Sequence, residues 1–274
     1  MKLSKEVRDS LTKEQFRYYK QHGVLPKDPV SVVVPQVTTQ SDEKVVVLCV
    51  RFGNKYGRDY VERLRNMVAR HMTIPYEFVC LTDDPNPIEG VRTIRQNPAG
   101  YQKLWWHKVH MFDPNLDVRG RILYLDLDVI ICGNLNKLVT NLKDEFLGIR
   151  DFNRKFHATW TMLNSSVMTW LHGTQSDIWE KFMANPASAM RLHGDQDWIW
   201  ACARTRLKFF PIPVIQSYKW EIRNRDELVQ RTGRSGFRFV ATDLKVDPEL
   251  SIAVFHGDPK PENVPDPFVV DNWQ

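Results

Sequence analysis

Asp126 and Asp128 stand one residue apart in the stretch RILYLDLDVIICG, residues 121–133. In an extended strand, residues i and i+2 point to the same face, so the two carboxylates are expected to aim together. Two ionised carboxylates side by side in apolar surroundings repel, and one takes up a proton unless a cation lies close. A divalent ion removes the conflict: Mn2+ or Mg2+ prefers carboxylate oxygens and readily bridges phosphates. This spacing therefore points to a metal–diphosphate site. The plainer alternative has one aspartate capping a turn and the other facing solvent.

The elements that must position this pair read as alternating strands and helices from Lys44 onward. VVVLCVRF is a continuous apolar run, as in a strand buried on both faces, and GNKYG is a loop. RDYVERLRNMVARHM carries Val61, Leu64, Val68 and Met72 at helical spacing. YEFVCLTDD reads as a strand with a polar end, YQKLWWHKVHMF as a helix, and RILYLDLDVII as the central strand. This order predicts an α/β fold whose mostly parallel sheet is flanked by helices on both faces. Ligands in such sheets bind at the carboxyl ends of the strands, where Gly53, Thr82, Asp83, Asp84, Asp126 and Asp128 fall. In the second half FLGIRDF, ATWTMLNSSVMTWL, LKFFPIPVI and LSIAVFHG read as strands, and QSDIWEKFMA and DQDWIWACA as helices.

Three chemistries use a D-x-D pair. A haloacid-dehalogenase-type phosphatase wants Thr or Val four residues after the first Asp, where this chain has Ile130. A polymerase-β-type nucleotidyltransferase wants a Gly-Ser pair shortly before the aspartates, and none is present. A nucleotide-sugar glycosyltransferase of the GT-A type places the pair mid-chain, after a nucleotide-binding βαβ half, as here. The chain resembles GT-A glycosyltransferases close to family 8, the group of glycogenin and the bacterial lipopolysaccharide galactosyltransferases, and more closely a bacterial and phage set of relatives. The resemblance rests on VRFGNKYG, LTDD, QKLWWHKVHMF, YLDLDVIICGNL, LNSSVMTW, GDQDWI, SYKW and VFHGDPKP, in that order between residues 45 and 262.

It implies a Rossmann-like GT-A domain over 44–274, preceded by a short N-terminal helical arm and linker over 1–43. Val50, Arg51, Phe52 and Tyr56 would frame the base and ribose, with Asp83 near the base. Lys103 would reach the phosphates or the sugar, and Asn164 and Ser165 would line the sugar pocket. Asp195 and Gln196 would lie beside the anomeric carbon as the catalytic pair. Asp126, Asp128 and His256 would ligate Mn2+ or Mg2+, and Lys260 would neutralise the diphosphate leaving group of a UDP-sugar, favoured over a GDP-sugar. Lys260 follows His256 by four residues, two fewer than in the family pattern. Trp198 and Trp200 follow the Asp-Gln pair where the family has Asn. The implied reaction is retaining sugar transfer to a glycan, cell-envelope or lipid-linked acceptor.

The rest of the composition bounds the partners. Net charge is +5 with a pI near 9.0, a mild excess that suits an anionic substrate. A second reading is a phage-type transferase acting on hydroxymethylated bases of duplex DNA. Lys13, Arg17, Lys20, Arg223, Arg225, Arg231 and Arg234 would then meet phosphates. A third is a binding module of the same fold without catalysis, which the intact Asp126, Asp128 and His256 oppose. Cys49, Cys80, Cys132 and Cys202 form no C-x-x-C pair and no zinc spacing, which fits a reducing cytoplasm, a host's if the chain is phage-encoded. No run reaches the length of a membrane span, so any membrane association is expected to be peripheral.

Overall fold

Val45–Arg51 (β1) is buried from Val45 to Cys49 because it lies between two strands and under both layers of the molecule. In the computed structural model, which describes residues 44–96, 104–223, 230–232, 236–238 and 244–274, it is the third strand of a seven-stranded sheet. The N-terminal arm, Lys103, Arg225 and Arg234 lie outside the described residues, and of Arg231 only the backbone is described.

β1 pairs in parallel with Tyr76–Thr82 (β2) on one side and Arg121–Leu125 (β4) on the other, and Arg92–Arg95 (β3) extends the β2 edge in parallel. Leu163–Leu171 (β7) runs antiparallel to β4 and to Phe146–Arg150 (β6), and Leu207–Phe209 (β8) closes the far edge parallel to β6. The order is β3-β2-β1-β4-β7-β6-β8. Its parallel half agrees with the alternating pattern of the sequence.

Arg58–His71 (α1) covers one face with Tyr60, Val61, Leu64, Met67 and Val68, a stripe at helical spacing. The other face is covered by a 3-10 helical segment, Leu104–Phe112, by Ser176–Ala184 (α2) and by Asp195–Ala203 (α3). Pro267–Asn272 (α4) and Trp273 return to α1, where the guanidinium of Arg63 lies 4.4 Å from the Trp273 ring. Gly120, at φ +99, starts β4 so close to β1 that a Cβ there would stand 2.0 Å from the Lys44 carbonyl oxygen.

Two sequence expectations need correction. LKFFPIPVI is divided between the edge strand Leu207–Phe209, a 3-10 turn at Ile212–Val214 and a strand of another sheet that begins at Ile215. RILYLDLDVII is not a single strand. β4 stops at Leu125, Asp126–Asp128 form a turn, and Val129–Ile131 (β5) enters a second sheet. That sheet has the order β5-β12-β9, with Ile252–Val254 (β12) antiparallel to β5 and parallel to Ile215–Ser217 (β9). Both apolar runs are fully buried, and Leu127 between them is buried as well, so hydrophobicity alone cannot mark the break. The i, i+2 rule of an extended strand therefore does not orient the two aspartates; the turn does. A short antiparallel ribbon, Gln230–Thr232 (β10) with Gly236–Arg238 (β11), completes the described strands.

Candidate active site

The carboxyl ends of β1, β2 and β4 and the start of β7 bring together most of the residues picked out by their chemistry. At the centre stands a lysine that the sequence reading missed. Lys108, buried in the 104–112 segment, places its Nζ 2.9 Å from Asp126 Oδ1 and 3.4 Å from Asp195 Oδ2. It also donates to Ser165 Oγ at 3.1 Å, and that hydroxyl in turn donates to Asp195 Oδ2 at 3.1 Å. Gln196, next on α3, accepts from the backbone N–H of Ser165 at 3.2 Å. Tyr124 donates to Asp126 Oδ1 at 2.6 Å, and the Asp126 N–H donates to the Ser166 carbonyl. Asp126, Asp195, Gln196 and Ser165 thus form one hydrogen-bonded unit around an ammonium group.

Electrostatics separates the two carboxylates. Burial works against the charge of Asp126, but Lys108 and then the Tyr124 hydroxyl outweigh it, and its pKa is lowered. For Asp195 burial wins: Lys108 offsets it only in part, the charge on Asp126 adds to it, and the pKa is raised. Lys108 is itself desolvated, yet the two carboxylates together hold its pKa above the ordinary value. Asp126 is thus the firmly ionised member, and Asp195 takes up a proton more readily.

Asp128 belongs to a second unit. Its Oδ2 accepts from the Tyr56 hydroxyl at 2.8 Å and from the ammonium group of Lys260. Lys260 also lies 3.4 Å from the Phe255 carbonyl, and Phe255 N–H donates to the Asp128 carbonyl, so the end of β12 is bound to the turn. Burial, and then the Asp128 carboxylate, push the Tyr56 phenol well above its usual range.

The remaining predicted residues are placed as follows. Val50 packs against the apolar layer behind the sheet. Arg51 is tied into its own loop, donating to the Tyr56 carbonyl and pairing with Asp84 at 3.0 Å. Phe52 is buried and stacks on His107, with ring centroids 4.0 Å apart. Asp83 accepts the Gly53 N–H with both oxygens at 3.2 Å. Asn164 is buried and accepts from Ser166 N–H at 3.1 Å. His256 stacks on Phe152 and shares a 2.7 Å hydrogen bond between Nε2 and Ser217 Oγ. Of the proposed phosphate-contacting arginines, Arg223 does not face solvent: it is buried and pairs with Asp266 at 2.6 Å.

The residues can be tested against a divalent ion. The two carboxylates suit a hard cation in type, and the Lys260 ammonium already stands on Asp128 as a counter-cation would. His256 is turned to Ser217, and among the described residues no three His, Cys, Asp or Glu side chains converge on one cation-sized space. The fit is thus one of donor type at Asp126 and Asp128, with His256 engaged elsewhere.

Lys108 had a faint signature: it is the lone cation in the apolar run LWWHKVHMF, which buries most of its residues. Tyr124, two residues before Asp126, was not singled out either. Nothing in the sequence announces Ser217.

No protein-family profile matches the sequence, and neither does any curated protein sequence. Solved structures do match. An active-site mutant of LgtC aligns over 79% of this chain and 89% of its own, with TM-score 0.55 and 13% identity. The glycosyltransferase GlyE of Streptococcus pneumoniae TIGR4 aligns over 80% of this chain and 56% of its own, with TM-score 0.55 and 16% identity. The bifunctional glycosyltransferase WbbM aligns over 85% of this chain and 48% of its own, with TM-score 0.53 and 13% identity. At such identities the likeness is one of architecture: the chain has the GT-A fold found in these glycosyltransferases.

Proposed function

We propose that the protein is a glycosyltransferase that moves a sugar from a nucleoside-diphosphate sugar, with UDP favoured, to a glycan acceptor of the cell envelope. The observation that carries this reading is the Lys108-centred unit joining Asp126 to Asp195 and Ser165 at the carboxyl ends of the parallel strands. It concentrates polar groups able to orient sugar hydroxyls beside a turn whose carboxylates and lysines suit a diphosphate. A related fold solved with donor and acceptor sugar analogs, the galactosyltransferase LgtC, supports the same substrate classes.

In this reading the bond between the anomeric carbon and the diphosphate oxygen breaks, and the acceptor hydroxyl bonds to the same face of that carbon. The acceptor's proton passes to the departing phosphate, so retention needs no separate base. Lys260 offsets the charge that develops on the leaving oxygen. Asp195 and Gln196 hold the sugar in register, and Tyr56 and Asp83 lie on the nucleoside side. Dependence on Mn2+ or Mg2+ is part of the proposal: Asp126 and Asp128 would hold the ion, with His256 as third ligand, and the ion would stabilise the diphosphate as a Lewis acid. Four free cysteines fit a reducing compartment where nucleotide sugars are made. No helix among the described residues is long and apolar enough to cross a membrane.

Thermal shift with UDP- and GDP-sugars, each with and without Mn2+, tests the reading. Stabilisation by one nucleotide sugar that is larger with Mn2+ than without, the difference disappearing in Asp128→Asn, is the expected result. Equal stabilisation with and without Mn2+ would remove the ion, and no stabilisation by any donor would remove the reaction class.

A further inference from the structure

The two carboxylates of the turn are neutralised in different ways. Lys108 is locked: it is buried and bonded to Asp126, Asp195 and Ser165 at once. Lys260 has one carboxylate partner, Asp128, and one carbonyl, that of Phe255 at 3.4 Å. Its side chain is 17% exposed against 9% for Lys108. Lys260 and the Tyr56 hydroxyl meet on the same oxygen, Oδ2, so Tyr56 would keep that carboxylate oriented if the ammonium left. A buried carboxylate needs a positive partner, and an ammonium group and a divalent ion held on the same carboxylate repel each other across a few ångströms.

We propose that Lys260 is the resident counter-cation of Asp128 in the empty protein and leaves it for the donor's diphosphate, so that Lys260 competes with a divalent ion for Asp128 until a nucleoside diphosphate is present. The inference rests on the donor site proposed above. It goes further in giving Lys260 two successive partners and in making metal affinity depend on the nucleotide. With no diphosphate to receive the ammonium, displacing it leaves a desolvated positive charge beside the ion. With a diphosphate present, Lys260 gains a new anion and Asp128 is released. Metal and nucleotide should therefore bind with positive coupling set by this one side chain.

Free Mn2+ is measured by its electron paramagnetic resonance signal, which needs no turnover. Wild type, Lys260→Met and Lys260→Arg are titrated with Mn2+ alone and with UDP, and UDP binding is measured in chelator by calorimetry. Lys260→Met is expected to bind Mn2+ alone about tenfold tighter than wild type, and to show less gain from UDP. Its UDP affinity in chelator should fall, and Lys260→Arg should behave like wild type. Lys260→Gln repeats the comparison should the methionine variant fail to fold. If Lys260→Met or Lys260→Gln binds Mn2+ no tighter than wild type, while wild type couples Mn2+ to UDP, the exchange is wrong and the donor site stands. If no form binds Mn2+ or UDP under any condition, the exchange falls together with the donor site.

Discussion

At the scale of single residues the site depends on Lys108. It stands between the buried Asp195 and the partly exposed Asp126, and its charge favours the ionised form of Asp126. Replacing it with Met removes the cation shared by the buried Asp195 and the partly exposed Asp126, a change expected to cost about 2–4 kcal/mol after allowance for that exposure. Chemical denaturation measures that loss, and Lys108→Met combined with Asp195→Asn should recover part of it. Asp195→Ala tests the assignment of roles. If the proposed reading holds, it should cut sugar transfer by about a hundredfold or more while changing UDP affinity only a few-fold, because that reading puts Asp195 on the sugar rather than the diphosphate. Steady-state kinetics set beside calorimetry separates the two. Asp126 and Asp128 stand out in the sequence as a D-x-D pair between apolar runs, whereas Asp195 and Gln196, which open α3, and Lys260 are picked out only by the resemblance to GT-A glycosyltransferases. Lys108 was not legible, because a lysine on a short helix is usually on its solvent face, and only the packing of the 104–112 segment turns it inward.

At the scale of elements, β1, α1 and β2 follow directly from the sequence: an unbroken apolar run for a strand covered on both faces, and a stripe at helical spacing for its cover. The break between β4 and β5 was not legible. RILYL and VII are equally apolar, and no Gly or Pro stands between them. The turn is imposed by pairing: β12 takes Val129–Ile131 into the smaller sheet while β7 holds Arg121–Leu125 in the larger one. Gly120 fixes where β4 begins. Gly120→Ala places a methyl against the Lys44 carbonyl at a backbone angle that disfavours side chains. The variant should lose about 2 kcal/mol, seen as a fall in Tm of roughly 4–8 °C in a thermal melt.

At the scale of the whole molecule, a partly buried histidine on the 104–112 segment, two residues beyond Lys108, contributes to behaviour in acid. Burial lowers the pKa of His110 from 6.5 to about 4, with neighbouring His107 adding to the effect. The ring stands 4.5 Å from Trp179 of α2. A histidine with a depressed folded pKa favours the neutral form, so its contribution is complete above pH 6.5 and is lost as pH falls toward 4. After allowance for its partial exposure the loss is of order 2 kcal/mol. Urea denaturation at pH 7 and at pH 4.5 should show that decline, and His110→Phe should flatten it. The GT-A architecture was legible at this scale from the order of strands, helices and motifs. The three-stranded second sheet was not, because each of its strands is only three residues long and is defined by partners distant in sequence.

The turn that carries Asp126 and Asp128 is also the seam between the two sheets, and each aspartate is fastened to a different side of it. Asp126 is bound to the layer containing Lys108 and β7, and Asp128 to the end of β12 through Lys260 and Phe255. A ligand held by Lys260 on one side of the turn and by the residues around Asp126 on the other would therefore tie the two sheets together, and the effect should travel beyond its own contacts. Amide hydrogen exchange at Ile252–Val254, none of which is a candidate site residue, should slow if a nucleoside diphosphate binds as proposed. Exchange in the middle of β1, already enclosed by its neighbours, should stay as it was.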